Sequence, residues 1–405
     1  MIFLFTFILL LSISEVYSFK GYQKSLSIAR HKLFISFAII NFLFIAGLAL
    51  IAYKQWNNHT NSSVTSNLLT GILFAIFLFF LVSTILFFVE DVFRFLKWLF
   101  LFITKKNQLG YPKRTKPLGL SAAIWGLLMF MLVVYGMLFG FTHYKVHHVD
   151  FVHIDVPESF NGFKIAQISD IHLGTFGNKK QVEKGLNKLM DQKPDMIVFT
   201  GDMVNNYSSE ALDYIDLFKK LEAPFGKYAI MGNHDYAHYA YKLTKKEQNE
   251  DTQKLRQVIE QMGFTILSNS NEIIFRNADS IILAGVENWG NAPFPQYGEL
   301  ETALNNIDSA SFVLLLSHDP SHWSQKVLSF KLPIALTLSG HTHGMQFGFE
   351  LGNKKWSPVQ YIYPNWAGMY QRGKQHLYVN RGFGCIGFPG RVGIRPEITL
   401  IELKK

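Results

Sequence analysis

The sequence is short of charge. Only 17% of its 405 residues are Asp, Glu, Lys or Arg, against about 25% in an ordinary soluble domain. It holds one cysteine, Cys385, so an intrachain disulfide is excluded and the redox compartment stays undecided. Acidic residues are nearly missing from the first third: Glu15, Glu90 and Asp91 stand alone before His143, against twelve Lys and Arg. The remainder balances at 27 of each sign, so the whole formal charge of +9 belongs to the first 142 residues. That excess sits between apolar runs, which removes the nucleic-acid reading a basic chain would otherwise invite. What is plentiful is apolar. With 49% hydrophobic residues and 37 Phe, disorder, collagen and a small stapled domain are all excluded.

Three runs, about 33–53, 68–89 and 118–141, reach the roughly 20 apolar residues that a bilayer requires. None contains Asp, Glu, Lys or Arg, so a proton or ion path through them has no carrier. A fourth run, about 1–17, is shorter. It has neither the basic start nor the small-residue cleavage site of a removable leader, and is expected to remain as a first helix. Residues 92–104 mix Arg94 and Lys97 into apolar surroundings, the pattern of a separate interfacial helix. The expectation is an all-α transmembrane domain of about four helices over 1–142, acting as an anchor in the lipid bilayer.

The loops suggest an orientation. Lys20, Lys24, Arg30 and Lys32 follow the first run, and Arg94, Lys97, Lys105, Lys106, Lys113, Arg114 and Lys116 precede the last, while Lys54 is alone between the second and third. Short basic loops stay cytoplasmic. The chain is therefore expected to be a multi-pass protein of the plasma or inner membrane, with everything after Phe141 outside the cytoplasm.

Beyond residue 142 the grammar changes. Residues 143–162 read as a linker and an edge strand, alternating over 149–156, and 163–405 as one large domain. Short apolar strands at 164–169, 196–200, 227–231, 311–316, 334–338, 377–380 and 397–402 interleave with helical patterns at 182–190, 210–221 and 252–262. This is an α/β arrangement. Residues 239–251 are charged and read as a loop or lid. Polar residues recur where strands end, which is where open α/β sheets place their sites.

Asp170, His172, Asp202, Asn233, His318, His341 and His343 each lie in a turn after an apolar strand. Asp170-x-His172 and His341-x-His343 share a spacing that lets both side chains of a pair reach one centre. Seven oxygen and nitrogen ligands are too many for one tetrahedral zinc and suit two divalent ions. With no thiolate in the set, Mn, Fe, Zn, Co and Ni remain. Each piece alone has a bland reading: a lone Asp-x-His is more often a loop detail, and Gly201-Asp202 a common turn.

The full series Asp170-x-His172, Gly201-Asp202, Gly232-Asn233-His234-Asp235, His318 and Gly340-His341-x-His343 resembles the calcineurin-like metallophosphoesterases. The resemblance spans about 163–403 and implies a four-layer α/β/β/α sandwich. It implies one metal on Asp170, His172, Asp202 and His343, and another on Asp202, Asn233, His318 and His341, with Asp202 bridging. His234 would then contact the phosphoryl oxygen or protonate the leaving group, oriented by Asp235. The ending around 377–384, with Arg391, looks like a membrane-anchored or exported bacterial branch, some of whose members act on phospholipid-like or nucleotide-sugar lipid substrates. Arg381, Tyr370 and Asn205 are candidate substrate contacts, although Arg381 could equally pair with a core carboxylate.

The function expected is a membrane-tethered dinuclear metal phosphohydrolase, foremost a phosphodiesterase in which bridging hydroxide attacks phosphorus. A phosphomonoesterase or pyrophosphatase is the alternative within that class. A non-catalytic binding head would be expected to have lost ligands, and a transporter to carry charges in its spans. Neither feature is present.

Overall fold

The computed structural model describes residues 2–29, 64–104, 110–240, 243–352 and 354–405, with isolated positions between 31 and 50. The chain forms two compact units, one made of its first 137 residues apart from 58–67 and the other running from Leu138 to Lys405 with 58–67.

The first unit contains three described helices, α1 (Ile2–Leu26), α2 (Val64–Ile103) and α3 (Lys116–Leu138). Polar side chains join α1 to α2: Ser18 Oγ donates to the Phe80 carbonyl at 3.2 Å, Thr84 Oγ1 to that of Ser14 at 2.9 Å, and Tyr22 Oη and Ser83 Oγ lie 2.7 Å apart. Such bonds hold helices together where lipid gives no hydrophobic drive. Among the described residues, two stretches, Asn67–Ile103 and Lys116–Thr142, are long and apolar enough to cross a membrane. The expected run at 33–53 lies mostly outside the described residues. The expected run at 1–17 is part of α1, which also carries Glu15, Lys20 and Lys24.

The expectation of a separate interfacial helix over 92–104 is corrected. Those residues continue α2, which runs unbroken for 40 residues, about 60 Å and twice the hydrocarbon thickness. No Gly or Pro interrupts 84–103, so the backbone ladder has no reason to stop. Arg94 is matched one turn back by Asp91 at 2.5 Å.

The second unit has two six-stranded sheets. The first runs in the order β1 (Lys145–Val152), β14 (Glu397–Lys404), β2 (Lys164–Ile168), β3 (Met196–Phe199), β4 (Lys227–Ala229), β5 (Thr265–Ile266). The second runs β12 (Gly368–Arg372), β13 (Gln375–Val379), β9 (Leu336–Ser339), β8 (Val313–Leu316), β7 (Asp279–Gly285), β6 (Ser270–Arg276). A short hairpin pairs β10 (Phe349–Leu351) with β11 (Lys354–Trp356). Ile165, Val198, Ile401, Leu283, Leu314 and Leu336 interleave between the sheets in one core. Outside the first sheet a second core packs α4 (Lys179–Met190), α5 (Ile215–Lys219) and α6 (Lys245–Gln261) through Leu186, Phe218 and Ile259. Outside the other sheet, α7 (Leu300–Ala303) and α8 (Ser321–Gln325) pack through Leu300 and Trp323. The layer order is thus helix, sheet, sheet, helix.

Two expectations shift here. The edge strand begins at Lys145, where it pairs in parallel with β14. The charged 239–251 stretch is not a loop throughout, because α6 begins at Lys245. Thr244 and Glu247 form a reciprocal cap at that end: the Thr244 N–H donates to Glu247 Oε2 at 2.7 Å and the Glu247 N–H to Thr244 Oγ1 at 3.3 Å. That cap satisfies donors that a helix otherwise leaves open.

Candidate metal centre

Five turns converge at the C-terminal ends of parallel strands from both sheets. Those after β2, β3 and β4 bring Asp170 and His172, Asp202, and Asn233 with His234. Those after β8 and β9 bring His318, and His341 with His343. Asp170, His172, Asp202, His341 and His343 all have left-handed backbone, with φ between 51° and 71°. This conformation costs a non-glycine residue roughly 1–3 kcal/mol, so the surroundings must impose it. Backbone bonds between the turns do so: Asp170 N–H donates to the Gly201 carbonyl, Ile171 N–H to that of Asp202, and His341 N–H to Asp170 Oδ1 at 2.9 Å. Close approach needs glycine at two places. A Cβ on Gly232 would lie 2.2 Å from Asp202 Oδ1, and one on Gly340 would lie 1.9 Å from Ser169 Oγ.

The side chains fall into two groups, Asp170–His172–His343 and Asp202–His318–His341, each with its ligand atoms within 4.8 Å of one another. In the first, His343 Nε2 is 3.2 Å from Asp170 Oδ1 and 3.0 Å from His172 Nε2. In the second, His318 Nε2 is 3.2 Å from Asp202 Oδ2. The same Asp202 oxygen is 3.6 Å from His172 Nε2, so one carboxylate faces both groups. Asn233 Oδ1 joins the second group, 2.9 Å from His341 Nδ1. Its amide donates away, to Tyr239 Oη at 3.0 Å.

The partners behind the imidazoles decide which nitrogens face inward. His318 Nδ1 meets the Thr200 carbonyl at 2.7 Å and His172 Nδ1 that of Val204 at 3.1 Å. A carbonyl only accepts, so both Nδ1 atoms carry hydrogen and both Nε2 atoms face into the site. His341 is reversed: its Nε2 lies 2.9 Å from Tyr363 Oη and 3.4 Å from Asp319 Oδ2, which leaves Nδ1 inward. Tyr363 and Asp319 were not among the sequence candidates. Asp319 follows His318 directly, a signal that was available; Tyr363 comes from a distant turn and gave none.

This site calls for positive charge. His318 Nε2 is buried and has no aligned hydrogen-bond partner despite facing Asp202. Burial opposes charge on His318, but the Asp202 and Asp170 carboxylates outweigh it and push its pKa up to about 10. Burial holds His172 down at about 3 and lifts Asp170 to about 7. Crowded, buried carboxylates and imidazoles with an unpartnered ring nitrogen are a donor set that divalent cations satisfy, and two groups fit two ions.

The structure places the other candidates differently. His234 Nδ1 is 2.7 Å from the Asn205 carbonyl, and its ring packs 5.0 Å from that of His172 at a right angle. Asp235, expected to orient His234, instead accepts the N–H groups of Gly232 (2.9 Å), Asp202 (2.8 Å) and Met203 (2.8 Å). Its carboxylate is fully committed to the turn that carries Asp202, and the Asn205 backbone takes the orienting position. The Asn205 side chain donates to Thr175 Oγ1 at 3.0 Å. Arg381 is 5% exposed and pairs with Glu397 Oε2 at 2.7 Å and Glu350 Oε1 at 2.6 Å, so the core-carboxylate reading replaces the substrate-contact one. Tyr370 Oη accepts the N–H groups of Trp366 (3.1 Å) and Ala367 (3.3 Å), which makes it a brace for that turn.

Residues 163–345 match the family described as calcineurin-like phosphoesterase, and residues 1–141 match one described as "Probable Calcineurin-like phosphoesterase, transmembrane domain". The metallophosphoesterase YkuE of Bacillus subtilis is 34% identical over 255 residues, 62% of this chain and 82% of that protein. The metallophosphoesterase Cj0846 of Campylobacter jejuni is 25% identical over 411 residues, covering all of this chain and 98% of its own length. The phosphodiesterase YaeI of Escherichia coli is 28% identical over 247 residues, 60% of this chain and 82% of that protein.

Proposed function

Since the chain belongs to the calcineurin-like metallophosphoesterase family and has the ligand groups of a metal-dependent hydrolase, we propose that it is a membrane-tethered two-metal phosphodiesterase. The observation that carries this reading is Asp202 Oδ2, which faces His172 at 3.6 Å and His318 at 3.2 Å and so addresses both ligand groups. Asp170, His172, Asp202 and His343 hold one ion in this reading; Asp202, Asn233, His318 and His341 hold the other. Two divalent ions supply an activated water and neutralise charge that develops on phosphoryl oxygens.

The chain's own residues do the rest. Asp235 fixes the Asp202 turn, and Tyr363 with Asp319 fixes the His341 ring. His234, with its Nδ1–H on the Asn205 carbonyl and its ring packed against that of His172, is the residue that gives a proton to the departing oxygen. The diester preference draws support from the name of the Escherichia coli relative, and a membrane anchor in the same chain favours phospholipid-like or nucleotide-sugar lipid substrates. Four spans, with the second unit outside the cytoplasm, fit the distribution of Lys and Arg between the apolar runs.

The test is hydrolysis of bis(p-nitrophenyl) phosphate and p-nitrophenyl phosphate by the full-length protein in detergent, before and after chelation. Faster diester turnover that chelation abolishes is expected. Faster monoester turnover, or turnover confined to a pyrophosphate, would overturn the diesterase assignment.

A further inference from the structure

The first unit holds a pocket of about 650 Å³ between α1, the end of α2 and the segment leading into α3. Its floor is a fixed charge network. The Arg114 side chain, 6% exposed, places Nη1 2.9 Å from Glu90 Oε2 and Nη2 2.6 Å from Asp91 Oδ2. Arg94 places Nη1 2.5 Å from Asp91 Oδ1, donates Nε–H to the Pro112 carbonyl at 2.8 Å and stacks over the Tyr111 ring. Two carboxylates thus match two guanidinium groups, and the floor is neutral.

The mouth of the pocket is not. Lys20 and Lys24 line it, lie four apart on one face of α1, and form no ion pair among the described residues. The wall beside them is apolar: Phe88 (61% exposed) and Phe95 (48% exposed), with Val92 between, present one face of α2. Two ammonium groups without an ion-pair partner among the described residues, above an exposed apolar wall on α2, a helix long and apolar enough to span a bilayer, match an amphiphile with an anionic head. Basic pockets between transmembrane helices recognise lipid headgroups in this way.

We infer that this pocket binds the phosphate headgroup of an anionic membrane phospholipid, with its acyl chains along Phe88, Val92 and Phe95. The inference uses no residue of the metal centre and is independent of the hydrolase reading.

Native mass spectrometry of the delipidated full-length protein, titrated with phosphatidylglycerol or phosphatidylcholine of the same acyl chains, tests it. The wild type should prefer phosphatidylglycerol by on the order of 10–30-fold, because each lysine contributes about fivefold. A K20Q/K24Q variant should lose that preference. A K97Q/K113Q variant removes the same charge outside the pocket lining and should keep it. An unchanged preference in K20Q/K24Q, or an equal loss in K97Q/K113Q, would overturn the site. Displacement of phosphatidylglycerol by an equal concentration of inorganic phosphate would overturn the lipid as its ligand.

Discussion

Arg381→Gln separates structure from catalysis at one position. In the wild type, burial opposes ionisation of Glu397, but Arg381, and then His147, outweigh it and hold the pKa at about 2. The substitution keeps much of the volume and removes the cation, leaving a buried carboxylate whose remaining bonds come from Tyr378 (2.7 Å), Thr399 (2.7 Å) and the backbone N–H of residue 381 (3.1 Å). Breaking one side of a buried pair costs about 3–5 kcal/mol. For a unit of this size that corresponds to a fall in Tm of roughly 6–20 °C. The pH dependence has a definite sign. A carboxyl held below its unfolded value of about 4.3 contributes stability that is present above that pH and lost as pH falls towards 2. The gap between wild type and variant should therefore be full at pH 7 and narrow below about pH 4. Thermal unfolding followed by tryptophan fluorescence at several pH values measures it. A variant with wild-type Tm but a raised KM would return Arg381 to the substrate.

Other residues give sharp contrasts. His234→Asn should retain both metals while turnover falls by about 10²–10⁴; loss of metal would make His234 a ligand. Asp235→Ala orphans the four backbone N–H groups of Asp202, Met203, Val204 and Gly232, each worth about 1–3 kcal/mol, and should lose stability and metal together. Full metal content with slowed turnover would instead restore it as the orienting partner of His234. A cysteine replacing Lys404 should react with an impermeant thiol reagent in intact cells, Cys385 being buried; labelling only after lysis would reverse the orientation.

The site was legible because its ligands obey a local rule. Asp170, Asp202, His318 and His341 each stand two or three residues after a short apolar strand, and strand ends can be read from periodicity alone. The role of Asp235 was not legible, because its partners Asp202 and Met203 lie more than thirty residues away and are brought close only by pairing of β3 with β4. Arg381 was ambiguous for the same reason: Glu397 reaches it from another strand. The continuity of α2 was obscured by Arg94 and Lys97, since charge density marks where a bilayer ends and says little about where a helix ends. The start of α6 was missed although Thr244 and Glu247 carry the spacing of a capping box; the charge of the segment drew the reading towards a loop.

In the two-metal reading, Asp202 joins both sites. Metal analysis of the full-length protein, purified in detergent without chelator, tests it most directly when Asp202→Asn is measured beside the wild type. About two transition-metal ions are expected per wild-type chain, with depletion of both in the variant. Two ions retained in Asp202→Asn, or a wild type that binds only one after reconstitution with Mn or Zn, would contradict it.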